Sequence, residues 1–291
     1  ASCPCATTVH ISQTIWPARV IWSAADFPLT RLGTSGGPRF VDILNQPGDV
    51  SFIIDSLLNS NHDGLPDLAD CIDPQRIAAA GLSLGGMTTT LLAFHPQLRA
   101  PRLAAAVSIA GPVAMLGKFF FQHEAPPLMM IAGDIDAMVD YRDNTGILAD
   151  WSPDTTLVTL HGGSHTGLAG VAGWLFRWFD NPDSVGCRAL RGNIDEQPEV
   201  PADFMALLHG QPAEPDPGMT LRPSRDPALP RALRPQYQRI LTSYPVYAFL
   251  QAKPHPDTGT RAGHVQLLDE TLPGRYPGIS VGPHHNRLQL E

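Results

Sequence analysis

The tightest constraint on this chain is the hexapeptide Gly81-Leu82-Ser83-Leu84-Gly85-Gly86. It follows a short apolar run, Arg76-Ile-Ala-Ala-Ala-Gly81, and leads into a helical one, Met87-Thr-Thr-Thr-Leu-Leu-Ala-Phe-His95. A Gly-x-Ser-x-Gly between a strand and a helix predicts a turn so sharp that its central serine is held in strained backbone geometry. The flanking glycines let strand and helix pass closely, because a side chain there would collide. Ser83 is thereby lifted clear of the sheet, beside the positive end of the next helix.

The surrounding pattern agrees with that turn. From Arg19 to about Asn181, short apolar runs alternate with helical periods, the pattern of a parallel α/β sheet. The predicted strands are Arg19–Ala24, Arg76–Ala80, Leu103–Ile109, Pro127–Ala132 and Thr155–Leu160. The predicted helices cover Pro47–Leu58, Ser83–Phe94, Val113–Gln122, Tyr141–Trp151 and Gly167–Phe179. In the last of these Val171, Trp174, Leu175 and Trp178 recur at three- and four-residue steps, which predicts a buried face. Of Phe119, Phe120 and Phe121, three consecutive aromatics on one helix, at least one must point away from the core.

From Asn181 onward the last 111 residues hold 16 of the 29 prolines, and strand runs fade. Gln211–Arg231 reads as a Pro-rich surface connection. Helices are expected at Gln236–Gln251, interrupted at Pro245, and at Gly263–Leu272. The expected division is a core over 1–187 and a Pro-rich extension over 188–291, packed on the core and partly irregular.

Composition excludes several classes. A hydrophobic fraction of 43% with 16% charged residues describes a folded chain, and 291 residues suffice for a full core. A net charge of −8 argues against a nucleic-acid binder, which needs a basic face. No run approaches the roughly 20 apolar residues of a membrane span. The sequence opens at Ala1 with no start methionine or signal peptide, which reads as a mature or trimmed form. Cys71 and Cys187 could pair in an oxidising compartment, which would favour a secreted or periplasmic site. Two unpaired buried thiols are the equal alternative.

A serine nucleophile needs a base within hydrogen-bond reach and an acid to orient that base. The Pro127–Ala132 strand ends in Gly133-Asp134-Ile135-Asp136, and the Thr155–Leu160 strand ends in His161-Gly-Gly-Ser-His165. Acid and base candidates thus emerge in the order serine, acid, base, each at the end of a strand. Asp134 and Asp136 compete as acid, and His161 and His165 as base.

With these residues in view the chain resembles the α/β-hydrolase family, and within it the serine esterases and lipases grouped with dienelactone-hydrolase-like and platelet-activating-factor-acetylhydrolase-like proteins. The resemblance rests on Asp26-Phe-Pro-Leu-Thr30, Asn45-Gln-Pro-Gly-Asp-Val50, Asp73-Pro74-x-Arg76-Ile77, the Ser83 turn, Gly133-x-x-Asp136 and Gly163-x-His165, and spans Asp26 to Cys187. It implies a three-layer sandwich, with a mostly parallel sheet between helices. It further implies Ser83 as nucleophile, Asp136 as orienting acid, His165 as base and the Leu84 N–H as an oxyanion donor. The implied substrate is a small-molecule or lipid ester of short to medium acyl length, polyesters included, and no cofactor is required. An amide or lactone hydrolase with the same triad, or a non-catalytic binding protein, would carry the same residues. The family's second oxyanion donor comes from a His-Gly loop that does not appear before Asp26. The expectation is therefore a fold shortened at its N-terminal side, whose Arg19–Ala24 strand either closes onto Arg76–Ala80 or floats loose.

One further motif stands apart. Asn59, Asn61, Asp63, Asp67 and Asp70 occupy positions 1, 3, 5, 9 and 12 of a loop with Gly64 at 6, the spacing of a structural Ca²⁺ loop. A polar linker between helix and strand has the same composition.

Overall fold

In the computed structural model, residues 7–12, 20–30, 34, 39–59, 72–170, 175–176, 178–194, 203–209, 228–253 and 257–282 are described. The strands are β1 (Thr7–Ser12), β2 (Val20–Ala25), β3 (Ile77–Leu82), β4 (Leu103–Ile109), β5 (Leu128–Gly133), β6 (Thr156–Leu160) and β7 (Ile279–Val281). The helices used below are α1 (Gln46–Leu58), α2 (Leu84–Phe94), α3 (Leu148–Trp151), α4 (Asp183–Ile194), α5 (Phe204–His209), α6 (Pro235–Ala252), α7 (Thr258–Gln266) and α8 (Leu272–Arg275). Strands β3 to β7 form one sheet in sequential order; the first four are parallel and β7 runs antiparallel to β6.

Period-two alternation along these strands sorts their side chains onto two faces. Ala106, Leu128, Met130 and Leu157 face a cluster with Met87, Leu91 and Phe94 of α2, and with Ile43, Phe120, Phe121, Leu148, Phe204 and Leu208. Ala105, Val107, Met129, Ile131, Val158 and Leu160 face the other way, against Leu241, Val246 and Phe249 of α6 and against Leu268 and Leu272. The result is a three-layer α/β architecture, a mostly parallel sheet between two helical layers. Its second helical layer comes from the region read as an extension, and the 187/188 boundary falls inside α4. Phe249 is wholly buried between α6 and the sheet. Phe249→Ala should lower stability by about 3–5 kcal/mol, measured as a shifted urea midpoint at unchanged slope.

Several expectations are corrected. The Arg19–Ala24 strand neither joins β3 nor floats: β2 pairs antiparallel with β1, Thr7 opposite Ala25 and Ser12 opposite Val20, as a separate two-stranded sheet. Pairing with a strand close in sequence closes only a short loop, the less costly arrangement. Strand β3 is consequently an edge of the five-stranded sheet among the described residues. Leu175 and Trp178 are exposed, at 48% and 81%, rather than buried. Val171 and Trp174 lie outside the described residues. Val113–Gln122 is two short 3-10 turns, Ala114–Leu116 and Lys118–Gln122, rather than one helix. Phe120 and Phe121 are buried there, while Phe119 is 69% exposed.

Helix α6 runs unbroken through Pro245. A proline inside a helix costs ~3 kcal/mol, but the buried stripe of Leu241, Pro245, Ala248, Phe249 and Ala252 on the sheet outweighs it. Among the described residues no helix is long and apolar enough to cross a membrane. Asn59 caps the C-terminus of α1, and its N–H bonds Asp55 O. Asn61, Asp63, Asp67 and Asp70 lie outside the described residues, as does Cys71. Cys187 is buried, with Sγ 3.3 Å from Ala137 O.

Candidate active site

Ser83 sits where β3 turns into α2, with φ 57° and ψ −119°. A left-handed φ at a residue with a Cβ costs of order 1–3 kcal/mol and persists only where the surroundings enforce it. The enforcement is visible: the Ser83 N–H donates to Ile109 O at 2.8 Å, fastening the turn to the end of β4. On the strand side, a Cβ on Gly81 would lie 2.0 Å from Gly85 O, so only glycine admits the crossing of strand and helix. Leu84 is the first residue of α2. Its N–H belongs to the first helical turn, whose donors lack intrahelical acceptors and face whatever lies before the helix.

The loops after β5 and β6 are sewn together in the same way. Ile135 N–H donates to Gly163 O and Asp134 N–H to Leu160 O. Asp136 and His165 are thereby brought face to face. Asp136 Oδ2 is 2.7 Å from His165 Nδ1, and His165 Nε2 is 2.9 Å from Ser83 Oγ. The other Asp136 oxygen accepts the N–H groups of Met138 at 2.9 Å and Val139 at 2.7 Å, which fixes the carboxylate's orientation. The Asp136 side chain has no exposure and that of His165 only 7%. Burial pushes the imidazole pKa down. The Asp136 charge and hydrogen bond, helped by the Asp183 charge, outweigh that effect and hold it above the ordinary value of 6.5.

The rival residues meet each other instead. Asp134 accepts from Gly162 N–H at 2.7 Å and lies 2.9 Å from His161 Nδ1, forming a half-exposed pair at the ends of β5 and β6. Met87 belongs wholly to the core, and Trp151 packs at its edge.

Two residues that sequence reasoning did not single out hold the His165 loop. Asp183, fully buried at the start of α4, accepts from Ala137 N–H at 3.0 Å, His165 N–H at 3.0 Å and Thr166 N–H at 2.6 Å. Gln238 of α6, also fully buried, accepts from Ser164 N–H at 3.1 Å and donates back to Ser164 O at 2.6 Å. In the sequence Asp183 reads as an ordinary first-turn acid and Gln238 as one polar position on an amphipathic helix. No local signal marks either.

A cleft of about 730 Å³ opens elsewhere, lined by Phe94, Phe121, Leu128, Thr156, Phe249 and Lys253. Leu128 and Thr156 begin β5 and β6, so this cleft is at the opposite end of the sheet from Ser83. Among the described residues no cluster of three or more His, Cys, Asp or Glu side chains is arranged to hold a metal ion.

No protein-family model matches the sequence, and no curated protein matches it. Among solved structures, the chain is similar to propionate-bound esterase Est2 of the Planctomycetes species Thermogutta terrifontis: TM-score 0.41, 18% identity, 61% of this chain and 69% of that one. It is similar also to Thermogutta terrifontis esterase 2 phosphorylated by paraoxon (TM-score 0.40, 17% identity, 61% and 68%). For the tabun-phosphoramylated form the values are TM-score 0.39, 19% identity, 53% of this chain and 63% of that one. The chain thus spans roughly two thirds of the length of these structures.

Proposed function

We propose that this chain is a cofactor-free serine esterase that hydrolyses short- to medium-chain carboxylic esters through Ser83, His165 and Asp136. What supports the reading is the continuous relay of contacts, 2.9 Å from Ser83 Oγ to His165 Nε2 and 2.7 Å from His165 Nδ1 to Asp136 Oδ2, in a nearly dry site. Neutral His165 takes the Ser83 proton as Oγ attacks the ester carbonyl carbon, and Asp136 stabilises the imidazolium that forms. Collapse of the tetrahedral adduct breaks the bond to the alkoxy oxygen, and His165 returns the proton to the departing alcohol. Water, deprotonated by the same imidazole, then attacks the acyl-serine; the bond from Ser83 Oγ to the acyl carbon breaks, His165 returns the proton to Oγ, and the carboxylic acid leaves. The Leu84 N–H donates to the developing oxyanion, an interaction of about 3–4 kcal/mol in comparable sites.

The decisive experiment is labelling with a fluorophosphonate, followed by peptide mapping. Modification of Ser83, lost in the Ser83→Ala variant, together with turnover of p-nitrophenyl butyrate, is the expected result. A folded chain that neither labels nor turns over ester would overturn the reading in favour of a non-catalytic binding protein.

The pH dependence follows from the base. Below its pKa His165 is charged and cannot accept the Ser83 proton, so kcat/KM rises with pH through that pKa. Because the pKa is raised, the rise should be centred above pH 6.5. A profile flat from pH 5 to 9 would exclude His165 as the base.

A further inference from the structure

Asp183 is a carboxylate with no solvent exposure on which amides of two separate loops converge: Ala137 N–H from the loop after β5, and His165 and Thr166 N–H from the loop after β6. Its own N–H is held by Asn181 Oδ1 at 2.9 Å, so the carboxylate is fixed from behind. Asp136 and His165, which face each other at 2.7 Å, belong to these same two loops. A helix opening does not require this arrangement. An acid in the first turn of a helix usually bonds amides of its own helix from a wet surface. Asp183 instead spends both oxygens on other elements, where water cannot compensate its charge.

We propose that Asp183 is a positioning residue for the triad: one buried carboxylate ties the acid loop to the base loop and sets the distance at which Asp136 meets His165. The inference rests on the esterase reading above. Among the described residues this carboxylate is held by main-chain dipoles and meets no cation while the imidazole is neutral. It gains one when His165 takes the serine proton, so the tie also favours the charged intermediate. The charges that act on the imidazole are Asp136 and Asp183. The Asp134–His161 pair stands at the same strand ends. Helix α6 presents neutral Gln238 to the loop backbone and reaches Gly170 O with Arg239.

The test is Asp183→Asn, which keeps the shape and removes the charge. It also places an NH₂ group against N–H donors. Three readouts are needed: kcat and KM for p-nitrophenyl butyrate, the acid limb of kcat/KM, and an NMR titration of the His165 imidazole in wild type and variant. Phosphonate titration normalises the rates to folded, reactive protein. The expected result is a fall in kcat of about 100-fold with KM nearly unchanged. The acid limb and the imidazole titration should both move to lower pH by about 0.5–1 unit. Asn181→Ala, which removes the acceptor behind Asp183 together with a bond to Pro230 O, should shift both in the same direction by less, and covers the case in which Asp183→Asn does not fold. Normalised kcat and an imidazole titration both at wild-type values would overturn the inference. A wild-type chain without turnover, whose imidazole titration still shifts on Asp183→Asn, would sink the esterase reading and leave the tie between the loops standing.

Discussion

Ser83→Ala should remove ester turnover almost completely, with kcat falling on the order of 10⁶-fold, as when one member of a cooperating triad is deleted. The reason is chemical rather than structural. The variant keeps the His165–Asp136 pair and the first-turn amides of α2, but no atom is left to form the acyl intermediate. Stability should stay within about 0.5 kcal/mol, because alanine has the same difficulty as serine at φ 57°. Ser83→Gly separates the two effects. It loses the same activity, yet should gain about 1 kcal/mol as the left-handed conformation ceases to be strained. Steady-state kinetics beside thermal melts of the three proteins check both statements. Residual turnover in Ser83→Ala above a few per cent would assign the nucleophile to another residue.

Gly133→Ala should damage fold and site together. A Cβ at position 133 would lie 2.1 Å from Gly163 O and 2.2 Å from Gly163 C, contacts with backbone that no rotamer can relieve. The loop after β6 must retreat by roughly an ångström, and it carries His165. Overpacking of this kind costs about 1–3 kcal/mol or more, and a shift of that size at a reacting group costs about 10²-fold in rate. The expected outcome is a lowered melting temperature and, in the fraction that folds, at least that loss of kcat. Gly263→Ala is the control. It lies inside α7 with nothing within 4 Å of the added methyl, so it should stabilise by about 0.5–1 kcal/mol and leave activity alone. Equal behaviour of the two variants would show that the close approach of the loops is unimportant.

The contrast between these positions explains what could be read from the sequence. The Ser83 turn and the strand-end loops carry dense local signals: glycine where backbones touch, an apolar run before, a polar loop after. Those signals put Asp134 and Asp136, and His161 and His165, at the strand ends, the resemblance alone favouring Asp136 and His165, and they gave β3 to β6 within a residue or two. What escaped prediction is held by partners distant in the chain. Strand β7 is three residues, Ile279-Ser280-Val281, too short for an alternation to show, and exists because β6 offers it an edge. Helix α6 ignores Pro245 because the sheet beneath it rewards continuity. Asp183 and Gln238 acquire their roles only when loops some 20 to 75 residues away arrive beside them. The β1–β2 pairing shows the opposite error, since a strand read as part of the parallel sheet found a nearer partner.

The late arrival of β7 has a consequence for biosynthesis. Strand β6 ends at Leu160, while its outer neighbour begins about 120 residues further along at Ile279. At translation rates of roughly 5–20 residues per second, the outer border of β6 stays uncovered for on the order of ten seconds while the intervening polypeptide emerges. For that interval the nascent chain presents Val158 and Leu160, later wholly buried, beside unsatisfied main-chain groups. Chaperone occupancy on the ribosome should therefore begin once residues near 160 are exposed and end only after α6 and β7 have docked.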